Sequence, residues 1–214
     1  MGYYPFGTIT DVIIILGDAG INYYGEPRDS KLKKTLSKLS LTIFSIHGNH
    51  EIRPKTIPSY REVEWNGGIV YREDRYPNLL FAKDGEVYDI GGIKTLVIGG
   101  AYSVDKQYRI DHDYGWWADE QPGDEIKTRV EKALSERGNK VDVILSHTTP
   151  LKYEPVECFF EFIDQSKVDR STEIWLDGIE ERTDYKKWYA GHFHTEKRID
   201  KLRIMFEDIA EFCL

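Results

Sequence analysis

Four short segments of the chain carry side chains that can bind a metal ion, and each segment follows a run of apolar residues. These segments are Gly17-Asp18, His47-Gly48-Asn49-His50-Glu51, Ser146-His147 and Gly191-His192-Phe193-His194. Asp and Asn oxygens with imidazole nitrogens form a mixed donor set, which suits Mn²⁺, Fe²⁺, Fe³⁺ or Zn²⁺ better than Ca²⁺. Taken singly, each segment is as well explained by a turn or by a strand end with a buried histidine. Their joint occurrence favours a shared metal site.

The first two segments belong to a predicted strand–helix–strand unit. Residues 11–17 and 41–46 are β-branched or apolar runs of the kind found in strands buried on both faces. Residues 27–39 between them predict a helix. In such a strand–helix–strand unit, we expect the two strands to run parallel and the crossover to be right-handed. The apolar face of that helix is expected to carry Leu32, Leu36 and Leu39, with the lysines on the opposite face.

The remaining elements alternate short strands with two helices. Residues 52–65 are polar and interrupted by prolines, so we expect a surface excursion there. Strands are predicted at 69–71, 79–82, 86–90, 94–98, 141–145 and 186–190, and a closing hairpin at 197–199 with 202–206. Helices are predicted at 124–137 and 173–181.

The strand ends are expected to bring the candidate ligands together. Asp18, Asn49, His147 and His192 each lie just after a predicted strand. Ligands of open α/β sheets bind beyond the carboxyl ends of the strands, so these side chains are expected to converge on one edge.

Length and charge limit the class of protein. A chain of 214 residues that is 40% hydrophobic and 31% charged fits one domain, residues 1–214, with a sizeable core. The net charge of −8 disfavours a nucleic-acid partner or a nuclease. It leaves room for a small phosphorylated substrate, because a metal site supplies positive charge locally. No apolar run is long enough for a membrane span and no signal-peptide pattern occurs, so a cytoplasmic protein is expected.

The order Gly-Asp, Gly-Asn-His-Glu, His after a strand and Gly-His-X-His resembles the metallophosphoesterase superfamily, the calcineurin-like phosphoesterases. The resemblance spans nearly the whole chain. It implies a metal-dependent phosphoric ester hydrolase in which a metal-activated water attacks a phosphomonoester or phosphodiester. With the strand runs and the hairpin-rich middle, it also implies an α/β fold of two packed sheets flanked by helices.

The resemblance assigns a role to each candidate residue. Asp18 would bridge two divalent ions, and His194 would contact the first of them. The shell of the second ion would be completed by Asn49, His147 and His192.

Two further residues are expected to act on the substrate. His50 would protonate the leaving oxygen or stabilise charge on the phosphoryl group, and an imidazole pKa near neutrality suits a general acid without further tuning. Arg109 is the candidate phosphate contact, because it lies just beyond a segment at 99–105 that could line the cleft. The alternative interpretation is an ordinary surface arginine.

The chain departs from the family pattern at its start. The family's Asp-X-His block precedes Gly-Asp and supplies ligands to the first ion, but no histidine occurs among the 16 residues before Gly17. We therefore expect an N-terminally truncated domain without the family's first strand, occupancy by one ion, and a homodimer that covers the open sheet edge.

A second departure concerns the substrate. Ile21 stands where the serine/threonine phosphatases of the superfamily carry an Asp that orients the catalytic histidine, and His47 precedes Gly48 where they carry an Arg. Phosphoprotein phosphatase activity is therefore not implied. Two hypotheses stay open at this point: a small-molecule phosphoesterase, and a catalytically weak or inactive binding module on the same fold.

Overall fold

A computed structural model describes residues 11–214, and eleven strands in this part of the chain form two mixed sheets. The strands of the first sheet are β1 (Val12–Ile15), β2 (Thr42–Ser45), β3 (Tyr60–Trp65), β4 (Gly68–Glu73) and β5 (Leu79–Ala82). Their spatial order is β1-β2-β5-β4-β3. The first three strands in that order run parallel, and β4 and β3 are antiparallel additions.

The second sheet has a parallel centre and two antiparallel edges. Its strands are β6 (Val87–Ile90), β7 (Ile93–Ile98), β8 (Val143–Ser146), β9 (Lys187–Ala190), β10 (Lys197–Ile199) and β11 (Leu202–Ile204). Their spatial order is β10-β11-β9-β8-β7-β6, with β10 and β6 antiparallel to their neighbours. Most predicted strands are found close to their expected bounds.

The described part of the chain has four α-helices, α1 (Arg28–Leu36), α2 (Lys106–Asp111), α3 (Asp124–Ser135) and α4 (Ser171–Arg182). α1 packs against the first sheet, and α3 and α4 pack against the second, whereas α2 buries no residue. The helix predicted at 124–137 is found as α3, whose inward side chains Ile126, Val130, Ala133 and Leu134 are buried. None of the helices within residues 11–214 is long and apolar enough to cross a membrane.

The core lies in layers because central strands bury both faces. In β8, Val143 and Leu145 pack with Phe44 and Leu80 of the first sheet, whereas Ile144 packs on the opposite face against α3 and α4. This arrangement is the expected two-sheet α/β sandwich flanked by helices.

The edge of the first sheet corrects one prediction. Among residues 11–214, β1 pairs with β2 alone, so it is an edge strand. Ile13 lies on the face opposite Val12 and Ile14, which pack against the core, and it is 46% exposed, so the prediction that this strand is buried on both faces is wrong at that position. Residues 1–10, on which the expectation of a truncated start bears, lie outside the described residues.

The prediction for the buried face of helix α1 is only partly right, since Leu36 packs against the core as expected. Lys33 is buried, with its Nζ 2.7 Å from Glu73 Oε2 and 4.8 Å from the ring centre of Tyr60, while Leu32 and Leu39 are exposed. The carboxylate that stabilises the buried ammonium lies 40 residues away in sequence, so the local pattern could not reveal it.

Two segments were assigned wrongly from the sequence. Residues 60–65, expected in a surface excursion, form β3 and pair with β4 through six residue pairs. Residues 106–111 form α2, for which the sequence pattern predicted no helix.

Candidate functional site

Four polar side chains meet where the two sheets end side by side. Asp18 and Asn49 follow β1 and β2 of the first sheet, and His147 and His192 follow β8 and β9 of the second. Asn49 Oδ1 lies 2.8 Å from His147 Nε2 and 3.1 Å from His192 Nδ1. Asp18 Oδ2 lies 3.5 Å from His147 Nε2. The structure thus brings together four of the five residues expected to bind metal.

The amide of Asn49 is oriented by residues that the sequence analysis missed. Its Nδ2 donates to Ser103 Oγ over 2.8 Å, and the Ser103 hydroxyl donates in turn to Glu120 Oε2. Trp116 Nε1 donates to the same carboxylate oxygen over 2.8 Å. Because the serine proton is already committed to Glu120, Ser103 accepts from the amide, and Asn49 Oδ1 must face the histidines. Ser103 lies 54 residues from Asn49, and only its position after a strand hinted at the cleft.

The ring of His147 is held in the orientation that a metal ligand needs. Its Nδ1 lies 2.7 Å from the carbonyl oxygen of Leu16, to which it donates. Nε2 therefore points at the oxygens of Asp18 and Asn49. A donor hydrogen bond from the far ring nitrogen to a carbonyl is the usual support of a metal-binding histidine.

These neighbours shift the pKa values in opposite directions. Burial favours the neutral forms, but the attraction and hydrogen bonding between Asp18 and His147 outweigh it. The pKa of Asp18 is therefore held well below its ordinary value, and the pKa of His147 is raised. Burial, reinforced by the charge of His147, lowers the pKa of His192 to about 3. A negative carboxylate and a neutral imidazole are the forms that bind metal ions, so the shifts of Asp18 and His192 favour metal binding, whereas a metal ion would have to displace the proton that Asp18 stabilises on His147.

Two glycines make this close approach possible. A Cβ at Gly48 would clash with Oδ1 and the backbone nitrogen of Asp18. A Cβ at Gly17 would clash with the ring of His147, and Gly17 also has a φ of +92°. Larger residues at either position would separate the loops that carry the candidate ligands.

Three candidate ligands have a left-handed backbone. The φ angles are 54° at Asp18, 68° at His192 and 49° at His194, which is uncommon for residues other than glycine. Such conformations persist where the surrounding structure enforces them, often at functional sites. His194 lines a cavity together with Asp18, Asn49 and His192, but its ring stacks on Phe206 with 4.8 Å between ring centres. Among the described residues, His194 makes no hydrogen bond to Asp18, Asn49, His147 or His192.

Glu51 joins the loops that follow β1 and β2. Its Oε1 accepts hydrogen bonds from the backbone nitrogens of Asp18, at 3.1 Å, and Gly48, at 2.7 Å. Burial raises the pKa of Glu51 to about 7. Glu51, the last residue of the Gly-Asn-His-Glu motif, therefore has a structural role, because it holds the two loops together.

His50 and Arg109 lie side by side at the mouth of the site. Arg109 Nη2 is 3.4 Å from His50 Nε2, and the guanidinium is positioned by Asp105 at 2.8 Å and by the Tyr23 hydroxyl at 3.1 Å. Burial, against the attraction of Asp18 and with the help of Arg109, lowers the pKa of His50. The expectation of an untuned imidazole is therefore wrong, because the sequence could not show this burial.

The cluster offers donor atoms for one divalent ion when the amide oxygen of Asn49 is included. Within residues 11–214, no group of three or more His, Cys, Asp or Glu side chains is arranged to hold a metal by itself. Metal–ligand bonds of about 2.0–2.2 Å place neighbouring ligand atoms roughly 3 Å apart. The contacts of Asn49 Oδ1, at 2.8 and 3.1 Å, match that separation. The donor chemistry of Asp18, Asn49, His147 and His192 therefore suits one divalent ion, and the spacing between Asn49 and the two histidines agrees with that use.

A family model for calcineurin-like phosphoesterase matches residues 5–196. The match covers most of the chain, so the chain belongs to the calcineurin-like phosphoesterase family. A search of curated proteins finds no match. Membership supports a phosphoesterase-type hydrolase that uses divalent metal ions, at the level of the family.

Proposed function

We propose that this chain is a metal-dependent hydrolase of a small phosphomonoester or phosphodiester. The observation that carries the proposal is the convergence of metal-binding atoms at the sheet ends. The Nε2 of His147 faces the carboxylate of Asp18 and the amide oxygen of Asn49, and Ser103 and the carbonyl of Leu16 hold Asn49 and His147 in these orientations. In the absence of metal the proton on Nε2 lies between these oxygens, and a Mn, Fe or Zn ion would take the place of that proton.

The ion would supply a water of lowered pKa and would polarise the phosphoryl oxygens. Asp18, Asn49, His147 and His192 would hold it. For a second ion, the described residues offer His194, and Asp18 would be shared between the two ions, so that occupancy by one ion stays a prediction.

Arg109 and His50 are proposed to act on the substrate. The Arg109 guanidinium keeps Nη2 directed towards the site, where it can donate to a phosphoryl oxygen. The lowered pKa of His50 favours a neutral ring that donates a hydrogen bond to the leaving oxygen. Full proton transfer, the general-acid role, requires His50 to be protonated first, which the neighbouring Arg109 opposes.

The test combines metal content with turnover. Purified chain is loaded with Mn²⁺, its bound metal is measured by mass spectrometry, and hydrolysis of p-nitrophenyl phosphate and of bis-p-nitrophenyl phosphate is followed. Asp18→Ala is expected to lose the metal, and His50→Ala to keep it while turnover falls about 10²–10⁴-fold. His112→Ala, a change to an exposed histidine outside the cavity, is the matched control and should alter neither.

Each alternative gives a different result. Activity that survives Asp18→Ala combined with His50→Ala would refute the proposed site. Bound metal without turnover, in a folded chain, would favour the binding-module hypothesis instead.

The homodimer stays a prediction. In the described part of the chain the outer edge of β1 has no partner strand and Ile13 is exposed, which supports pairing of that edge with a second copy. Sedimentation velocity of the full chain measures this directly, and a monomer at all concentrations would contradict it.

A further inference from the structure

The cavity that contains the candidate metal site extends over an apolar wall supplied by one segment. The cavity has a volume of about 630 Å³, within the range of sites for small molecules. Asp18, Asn49, His50 and His192 lie at one end. The segment 151–170, between β8 and α4, lines the other part with Phe159, Phe160, Phe162, Ile163 and Val168. We call these five residues the apolar wall.

Two aromatic rings of the apolar wall are largely exposed, although a solvated loop does not need large apolar side chains. Phe160 is 62% exposed and Phe162 is 80% exposed, and they stack on each other with 5.2 Å between ring centres. Phe159 stacks on Phe193, between His192 and His194, with 6.0 Å between ring centres. An exposed apolar patch that is continuous with a polar site is typical of a ligand-binding surface.

The charges along the cavity limit how many anionic groups a ligand can carry. In the described part of the chain, Arg109 and Arg170 are the only lysine or arginine side chains that line it. Both are already paired, Arg109 with Asp105 at 2.8 Å and Arg170 with Glu154 at 3.0 Å. A further lining carboxylate is contributed by Asp169. A second phosphate or a polyanion would therefore be repelled along the wall.

We propose that the apolar wall binds the alcohol part of the substrate, and that the substrate is a phosphoester with one anionic group and an apolar, aromatic body. The inference rests on the proposed function for the identity of the anionic group. Phosphate at the metal end would direct the ester substituent along the cavity towards Phe159, Phe160 and Phe162. Flat rings there offer stacking surfaces for an aromatic ligand.

The kinetic test compares phenyl phosphate with 4-biphenylyl phosphate, whose leaving groups have similar acidity. The second ring then changes apolar contact and not the chemistry of the ester bond. We expect kcat/KM to be about tenfold or more higher for the biphenylyl ester. The double variant Phe160→Ser and Phe162→Ser is expected to lose this preference, because its kcat/KM should fall more for the biphenylyl ester than for phenyl phosphate. Val156→Ser changes a residue of the same segment that is 64% exposed and outside the cavity lining, and it should preserve the preference.

A binding measurement separates this inference from the proposed function. Calorimetric titration of the Mn²⁺-loaded chain with phenylphosphonate and 4-biphenylphosphonate requires no turnover. We expect the biphenyl compound to bind about tenfold or more tightly, with a more negative heat-capacity change, and the double variant to abolish the difference. Equal affinities for the two phosphonates would overturn the inference even if phenyl phosphate is hydrolysed. A tenfold difference without hydrolysis of either ester would support the wall and refute the hydrolase. A third outcome is that wild type binds phosphatidylcholine vesicles and the double variant does not, while the two bind the phosphonates with equal affinity. That result would instead assign the wall to a membrane surface.

Discussion

Glu173 is a buried carboxyl without a compensating cation, and it makes the stability of the chain depend on pH. It lies on α4 and is 4% exposed. Thr148 Oγ1 donates to its Oε1 over 2.8 Å, whereas Oε2 has no hydrogen-bond partner among the described residues. Burial raises the pKa of Glu173 to about 7 from an ordinary 4.5. The folded chain therefore keeps the carboxyl protonated where the unfolded chain has released the proton.

The sign and size of the effect follow from that difference. Stability is fully present below pH 4.5, where both states are protonated, and falls as the pH rises to about 7. A difference of about 2.5 in pKa corresponds to about 3 kcal/mol in the free energy of unfolding. Glu173→Gln resembles the protonated acid in shape, and its carbonyl can accept from Thr148. We expect the variant to match wild type near pH 4.5 and to be about 3 kcal/mol more stable at pH 8.

Urea denaturation followed by tryptophan fluorescence, at several pH values from 4.5 to 8.5 with EDTA present, measures this difference. Glu181→Gln, a change to an exposed glutamate on the same helix, is the matched control and should leave the pH profile of wild type unchanged. A difference between Glu173→Gln and wild type that is constant across the pH range would refute the assignment of a raised pKa to Glu173.

Two further substitutions test the geometry of the candidate metal site. Gly48→Ala places a methyl group against Asp18 Oδ1 and should weaken Mn²⁺ binding by at least about tenfold, measured by calorimetric titration; unchanged affinity would mean that Asp18 is not a ligand. Ser103→Ala removes the acceptor that orients the Asn49 amide and should weaken Mn²⁺ binding about 10–100-fold, with recovery in Ser103→Thr. Equal affinities of Ser103→Ala and wild type would show that Asn49 does not need this support.

The sequence predicted the strand positions that place the candidate ligands. Apolar runs closed by glycine are local patterns, and they located β1 and β2 together with the segments that carry Asp18 and Asn49. The end of a strand also determines which edge of a sheet the next residue reaches. The approximate position of four candidate ligands could therefore be predicted without coordinates.

The exposed and buried faces of single elements could not be predicted in the same way. Leu32 was expected inside and Lys33 outside, and the structure shows the reverse because a carboxylate on a distant strand stabilises the buried ammonium. β3 was missed because all six of its residues are half-buried or exposed, so that a polar pattern conceals a strand.

The amino-acid sequence by itself determined the order of the candidate metal-binding segments and the family they resemble, because both depend on residue identity and on local periodicity, and the resemblance together with the strand runs implied the two-sheet α/β class. Tertiary structure alone decided how the site is supported. The hydrogen bond from Asn49 to Ser103, the lowered pKa of His50 and the apolar wall beside the cluster each depend on residues far apart in the chain. Desolvation and hydrogen bonding act between neighbours in space, and those neighbours are defined only when the two sheets have packed together.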